Sequence, residues 1–147
     1  MITVNDLLRV KGRDVYSVSP LTPTLQALKL MAEKNIGAVL VLDGKRLAGI
    51  LSERDVVRQI ATQGQCNLDM PVEKYMTELL YVVSTNQTIS ECMEMMTDKH
   101  IRHLPIVQDE EVIGLVSIGD VVKQLIADQE STIDHLEKYI TGTGYAH

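Results

Sequence analysis

Apolar residues along the chain change their spacing several times, and each change marks an element. Residues 38–42, Ala-Val-Leu-Val-Leu, form an unbroken apolar run rich in β-branched side chains. Such a run is too short for a helix and suits a buried strand. Asp43-Gly44 follows as a hairpin signal, and residues 47–51 supply the partner strand. Upstream, residues 16–18 read as a short strand. Between them, in residues 24–34, Leu25, Leu28, Met31 and Ala32 recur at helical spacing. A second helix over residues 53–62 completes the order β-α-β-β-α.

The same order then returns. Residues 16–60 superpose on residues 81–125 without a gap. The identical pairs include Tyr16/Tyr81, Val18/Val83, Met31/Met96, Ile36/Ile101, Gly49/Gly114, Ser52/Ser117, Asp55/Asp120 and Val57/Val122. Self-similarity of this kind is the mark of a duplicated unit. The second copy predicts a strand at 81–83 and a helix at 88–99 with Ile89, Cys92, Met93 and Met96 on one face. Strands at 104–107 and 112–116 and a helix at 119–128 follow. A unit of roughly 50 residues buries too little surface to stand comfortably alone. The expectation is an α+β fold of two tandem β-α-β-β-α repeats, packed sheet to sheet about a pseudo-twofold axis.

Residues 1–62 read as the first repeat with its lead-in, and residues 63–77 as a linker carrying Gly64, Asn67, Pro71 and a short amphipathic turn at 72–76. Residues 78–128 read as the second repeat. In the tail, 129–147, a further amphipathic helix is expected over 130–140, with Ile133, Leu136, Glu137 and Ile140, capping the fold or a dimer partner. Residues 142–147 are expected to fray.

Composition narrows the function. Of 147 residues 45% are hydrophobic, enough for a packed core, but only 3% are aromatic: five Tyr, no Trp and no Phe. This excludes a base-stacking platform, an aromatic cage and an aromatic membrane belt. A net charge of -6 disfavours a broad nucleic-acid surface or a polybasic membrane patch. Recognition of a small molecule in a local pocket is left. Cys66 and Cys92 make no disulfide framework. The first residues lack a signal-peptide pattern, and no apolar stretch approaches the roughly 20 residues of a membrane span. A cytoplasmic protein is the expectation.

The two units share Gly-Ile-Leu-Ser-Glu-Arg-Asp (49–55) and Gly-Leu-Val-Ser-Ile-Gly-Asp (114–120) at a strand-to-helix junction. Ser three residues before Asp makes a helix cap with an acid in the first turn. The same groups suit a ligand: amides and a hydroxyl for a phosphate, a carboxylate for two ribose hydroxyls. The two readings are compatible. His100 and His103 need a helix to align them on a metal and instead lead into a strand, so no metal is expected. Met93, Met95 and Met96 read as core and interface filler. No spacing suggests a nucleophile with its base.

The element order, the duplicated ending and the run His100-Ile101-Arg102-His103-Leu104-Pro105-Ile106-Val107 resemble the CBS-domain pair, or Bateman module. The resemblance spans nearly the whole chain, and it implies an adenine nucleotide (AMP, ATP, NAD(H) or S-adenosylmethionine) in clefts between the repeats. It places Ser117 and Asp120 at one site and Ser52 and Asp55 at its twin, Asp on the ribose and Ser on ribose or phosphate. Tyr16 and Ile36 would flank the base at the Asp120 site, and Thr77, Tyr81 and Ile101 at the Asp55 site.

Arg102-His103 replace Gly37-Ala38 of the first copy, and Leu40 stands where the second copy has Pro105. Basic residues there contact phosphates in related modules, so the Asp120 site is expected to be the better nucleotide site. Arg54 in place of Gly119 would leave the Asp55 site some phosphate affinity. Lys11 and Arg13 would add charge near Asp120, or remain solvated loop charges. The resemblance further implies a homodimer acting on a regulated protein of unidentified kind, with no enzymatic activity. The alternative is a constitutive dimerisation module with vestigial pockets.

Overall fold

The computed structural model describes residues 1–78 and 81–141, with side chains described through residue 130. Helix α1 spans Val4–Lys11, where Thr3 and Asp6 form a reciprocal capping box and Gly12, at φ 91°, ends the helix. The first repeat follows as β1 (Ser17–Val18), α2 (Thr24–Lys34), β2 (Ala38–Asp43), β3 (Arg46–Ser52) and α3 (Glu53–Gln63). A single 3₁₀ turn, Val72–Lys74, occupies the connection. The second repeat is α4 (Ile89–Lys99), β4 (His103–Gln108), β5 (Glu111–Ser117) and α5 (Ile118–Thr141).

Strand β1 runs parallel to β2, which pairs antiparallel with β3; β4 and β5 form the matching hairpin. Both hairpins carry a register irregularity at equivalent places, Val41/Leu42 and Ile106/Val107. The expected strand at 81–83 is reduced to one parallel bridge, Val83 to Ile106. Both α2 and α4 close in the same way. Asn35 and His100 take the left-handed conformation at φ 55°, and the next amides, of Ile36 and Ile101, reach back to the carbonyls of Met31 and Met96. This six-to-one bond ends a helix firmly and fixes both Ile side chains beside the mouths of the following strands.

Among the described residues three clusters make the core. One joins Ala27, Met31, Val39, Val41 and Leu51 of the first repeat to Val72 of the connection. Another joins Val83, Ile89, Cys92, Met96, Leu104, Ile106, Val116 and Val121 of the second repeat to Val4, Leu7 and Leu8 of α1. The third, smaller, cluster sits between the sheets: Ala38, Leu40 and Ile50 against Val112 and Leu115.

The lead-in therefore serves the distant unit. Residues 2–5 clip onto the second repeat through Ile89 N–H to Ile2 O, Val4 N–H to Gln87 O and Asn5 N–H to Thr85 O. The connection clips onto the first repeat in the same manner, through Thr24 N–H to Met70 O and Val72 N–H to Thr22 O. Each clip crosses a glycine. A Cβ at Gly114 would lie 2.9 Å from a Leu8 methyl, and one at Gly49 would lie 2.7 Å from the Thr77 carbonyl oxygen.

Two helices expected to be separate, 119–128 and 130–140, are one continuous helix, α5. Residues 128–131, Asp-Gln-Glu-Ser, contain neither Gly nor Pro to interrupt it. The apolar side of 130–140 expected to cap a partner, and the fraying of 142–147, concern parts outside the described side chains and residues. Among the described residues no helix is long and apolar enough to cross a membrane.

Candidate functional site

At both strand-to-helix junctions the Ser and Asp of the duplicated ending close on each other. Ser52 N–H donates to Asp55 Oδ2 at 2.8 Å and Asp55 N–H to Ser52 Oγ at 3.3 Å. Ser117 N–H donates to Asp120 Oδ2 at 2.9 Å and Asp120 N–H to Ser117 Oγ at 3.1 Å. The capping reading is thus realised twice. Each helix start is also pinned to the residue ahead of the paired strand, by Glu53 N–H to Gly37 O and Ile118 N–H to Arg102 O.

Beyond the caps the two junctions differ. Asp55 accepts on both oxygens: the Ser52 hydroxyl adds a bond to Oδ2 at 3.0 Å, and the Thr77 hydroxyl donates to Oδ1 at 2.8 Å. Thr77 also pairs with Ile50 through its backbone N–H and C=O. At the other junction one side chain replaces Thr77. The Lys11 ammonium, at the last residue of α1, donates to Leu115 O at 2.6 Å and to Asp120 Oδ2 at 2.5 Å. Both bonds to the Asp120 carboxylate fall on Oδ2. Among the described residues no hydrogen bond reaches Oδ1.

The Asp120 junction opens into a cavity of about 370 Å³, within the range typical of small-molecule pockets. Its walls come from both repeats: Asp14, Val15, Tyr16, Asn35, Ile36, Gly37 and Leu40 on one side, His103, Leu115, Ser117 and Asp120 on the other, with Lys11 and Gly12 at the edge. The Asp55 junction opens into a smaller cleft of about 120 Å³, lined by Ile50, Ser52, Arg54, Asp55, Arg58 and Thr77 together with His100, Ile101, Arg102 and His103. His103 lies on the wall of both.

Burial alone would push the Asp120 carboxyl up, but the Lys11 ammonium and the Ser117 amide and hydroxyl outweigh it and hold the group below its ordinary range. Burial and the nearby Lys11 charge push the His103 imidazolium down, against the weaker pull of Asp120. Both effects favour the neutral ring. Burial, with Glu91 adjacent, pushes the Cys92 thiol up to about 11, so it remains a protonated core residue. Among the described residues no three His, Cys, Asp or Glu side chains stand close enough to hold a metal ion.

The structure brings Tyr16, Ile36, Lys11, His103, Ser117 and Asp120 to one cavity and Ser52, Asp55, Arg54, Thr77 and Ile101 to the other. Arg102 departs from its expected place: it lines the Asp55 cleft and not the Asp120 cavity. The reason is local, since successive residues entering a strand project to opposite sides. Tyr81 lines neither cavity; its ring packs on the second core with the Lys99 ammonium 5.3 Å from the ring centre. Arg13 lines neither as well. Arg58, His100, Asn35 and Asp14 join the walls unforeseen. Arg58 was legible as the residue one helical turn beyond Arg54, and Asn35 as a residue type that ends helices in the left-handed conformation.

A duplicated unit whose two strand-to-helix junctions open onto clefts walled by both copies defines a tandem module of paired repeats. The CBS-domain family model matches residues 4–62 and again residues 72–127. The chain belongs to the CBS-domain family, as a tandem pair. It is 35% identical to the mitochondrial CBS domain-containing protein CBSX3 of Arabidopsis thaliana, over 97% of this chain and 73% of that protein. A solved protein with CBS domains from Burkholderia ambifaria is 44% identical, with a TM-score of 0.80 over 86% of this chain and 96% of that one. The CBS pair of protein MJ0100, solved with 5′-methylthioadenosine and S-adenosyl-L-methionine, shares the fold at 19% identity. Its TM-score is 0.76, over 87% of this chain and 98% of that one.

Proposed function

We propose that this protein is a regulatory module that binds an adenosine-containing ligand in the Asp120 cavity and passes its occupancy to a dimer or a partner protein. The carrying observation is the state of the Asp120 junction. Among the described residues Asp120 Oδ1 accepts no hydrogen bond, and Asp120 and Ser117 stand together on the wall of a cavity of about 370 Å³. A carboxylate oxygen accepts from a ribose hydroxyl, and a serine hydroxyl donates to a ribose or phosphate oxygen. Ile36, Val15 and Leu40 give the base an apolar slot, which needs no aromatic residue. The adenosine compounds held by the MJ0100 pair support the ligand class. AMP, ATP, NAD(H) and S-adenosylmethionine all carry the diol this junction would read.

The cavity is walled by both repeats, so a ligand filling it ties the two sheets together and alters the angle at which α3 and α5 are presented. Those helices expose Val57, Ile60, Val122 and Ile126, apolar residues on both units suited to a homodimer. The test is a calorimetric and thermal-shift panel of adenosine, 5′-methylthioadenosine, AMP, ATP, NAD(H) and S-adenosylmethionine. A true ligand at 100 times its Kd adds about 2.7 kcal/mol of stability, and Asp120→Ala removes the effect. Binding of none of them, with an oligomeric state indifferent to all, would establish the constitutive dimerisation module instead.

A further inference from the structure

The lead-in and the connection make the same clip but leave it differently. Val4 and Val72 hold equivalent backbone bonds, to Gln87 O and Thr22 O, and Leu8 and Met76 lie against the equivalent glycines, Gly114 and Gly49. From Met76 the connection passes straight to Thr77, whose N–H and C=O both pair with Ile50 of β3 at 2.9 Å. From Leu8 the lead-in first makes one extra helical turn, Arg9-Val10-Lys11, closed by Gly12 N–H to Leu8 O at 2.7 Å.

That turn keeps the backbone off the edge of β5. Pro105 turns its carbonyl to Val83 N–H, so Leu115, opposite it, turns both of its backbone groups away from β4. The Leu115 C=O is taken by the Lys11 ammonium at 2.6 Å, and its N–H has no acceptor among the described residues. Ile50, the equivalent residue, has both groups paired. The open edge lies on the wall of the Asp120 cavity, beside Lys11 and Gly12. The extra turn itself buries nothing: Arg9, Val10 and Lys11 are all exposed, Val10 by 76%. Beyond it, residues 13–15 make no backbone-to-backbone hydrogen bond among the described residues.

We propose that residues 9–15 are a strap over the Asp120 cavity, held open by Lys11, and that ligand binding closes it; this rests on the reading of that cavity as the ligand site. A ligand hydroxyl seated on Asp120 displaces the Lys11 ammonium from the carboxylate, and the ammonium leaves Leu115 O with it. The extra turn then unwinds, and the backbone after Leu8 pairs with Leu115 as the backbone after Met76 pairs with Ile50. Closure gives up the Gly12 bond to Leu8 O and satisfies an edge donor that is now idle. The strap joins α1, packed on the second repeat, to β1 of the first, so its closure moves the tether that links the repeats.

The test is residue-resolved amide exchange by NMR on the full chain, with calorimetry of 5′-methylthioadenosine, which carries the diol and no phosphate. In the free wild type the Leu115 amide should exchange at least about tenfold faster than the Ile50 amide. Saturating 5′-methylthioadenosine should slow Leu115 by about tenfold and quicken Gly12. Lys11→Met should do the same without ligand. It should also bind the nucleoside about tenfold more tightly, because no ammonium has to be displaced first. A chain lacking residues 9–11 runs from Leu8 to Gly12 as the connection runs from Met76 to Thr77, and should protect Leu115 as Ile50 is protected. The inference is overturned if Leu115 and Ile50 are equally protected in the free wild type, or if Leu115 stays exchangeable in Lys11→Met. It is overturned as well if Lys11→Met weakens nucleoside binding, which would make Lys11 a ligand contact. A nucleoside bound without any change at Leu115 sinks the strap and leaves the ligand site standing. Leu115 protected in Lys11→Met, while no adenosine compound binds, sinks the proposed function and leaves the strap standing.

Discussion

Lys11 and His103 set the chemistry of the Asp120 cavity, and both leave a signature in the pH dependence of stability. Asp120 is held below its ordinary value chiefly by Lys11 working against burial. A carboxylate with a depressed pKa contributes stability that is present above its unfolded value and lost as pH falls through its folded one. Lys11→Met keeps the apolar stem and drops the charge, so it should flatten the acid limb below about pH 4. At pH 7 it should cost no more than about 1 kcal/mol, since the pair is partly exposed. For His103 the sign is the same but the window is higher. Its ring resists protonation in the folded state, whereas the unfolded ring titrates near about 6.5. The unfolded chain gains the extra proton, so stability falls as pH drops through that value. Urea denaturation at pH 7.5 and 5.5 should show the drop in wild type and a smaller one in His103→Gln. Equal drops would mean that the ring is not desolvated as the cavity wall requires.

At the scale of elements, the duplication made most of the fold legible. An apolar run bounded by Asp-Gly, twice-read helix spacing and the repeated junction placed nearly every strand and helix. The strand expected at 16–18 stands as β1, and three features came out differently for identifiable reasons. The strand expected at 81–83 is a lone bridge, because so few residues carry no period. The destination of α1 was hidden because an amphipathic helix states which face it buries but not against what. Arg102 went to the opposite cleft because adjacent residues entering a strand diverge, and charge alone reveals no direction. Gly49 and Gly114, identical in sequence, also differ in what they meet. Gly49 faces a backbone carbonyl that pairs with β3, while Gly114 faces the methyl tip of Leu8 and a methyl of Ile106. A side chain can swing aside and a paired backbone cannot. Gly49→Ala should therefore cost about 1–3 kcal/mol, and Gly114→Ala clearly less, as read from paired chemical denaturation curves.

For the whole molecule, the crossed clips bind both repeats into one cooperative unit. Leu8 lies in α1, at the start of the chain, yet is buried in the core of the second repeat. Leu8→Ala should cost about 2–5 kcal/mol, and the chain should still melt in a single transition by far-UV and Tyr probes together. Separate transitions would show the repeats to be independent. The cluster between the sheets is the smallest of the three, so the two halves share limited surface there. A ligand bound in the adjoining cavity, as proposed, would gain its leverage over the geometry of the pair from that thin contact.

The exchange of clips also dictates where the gene can be cut. Residues 1–11 complete the second repeat as residues 67–77 complete the first, so the natural piece of the first half is 12–77 and not 1–62. A permuted chain, with residues 1–11 moved behind α5 through a flexible tether and a new start at residue 12, would carry each half contiguous with its own clip. Such a rearranged gene should yield the same fold, while a plasmid encoding 1–62 alone should yield an insoluble product.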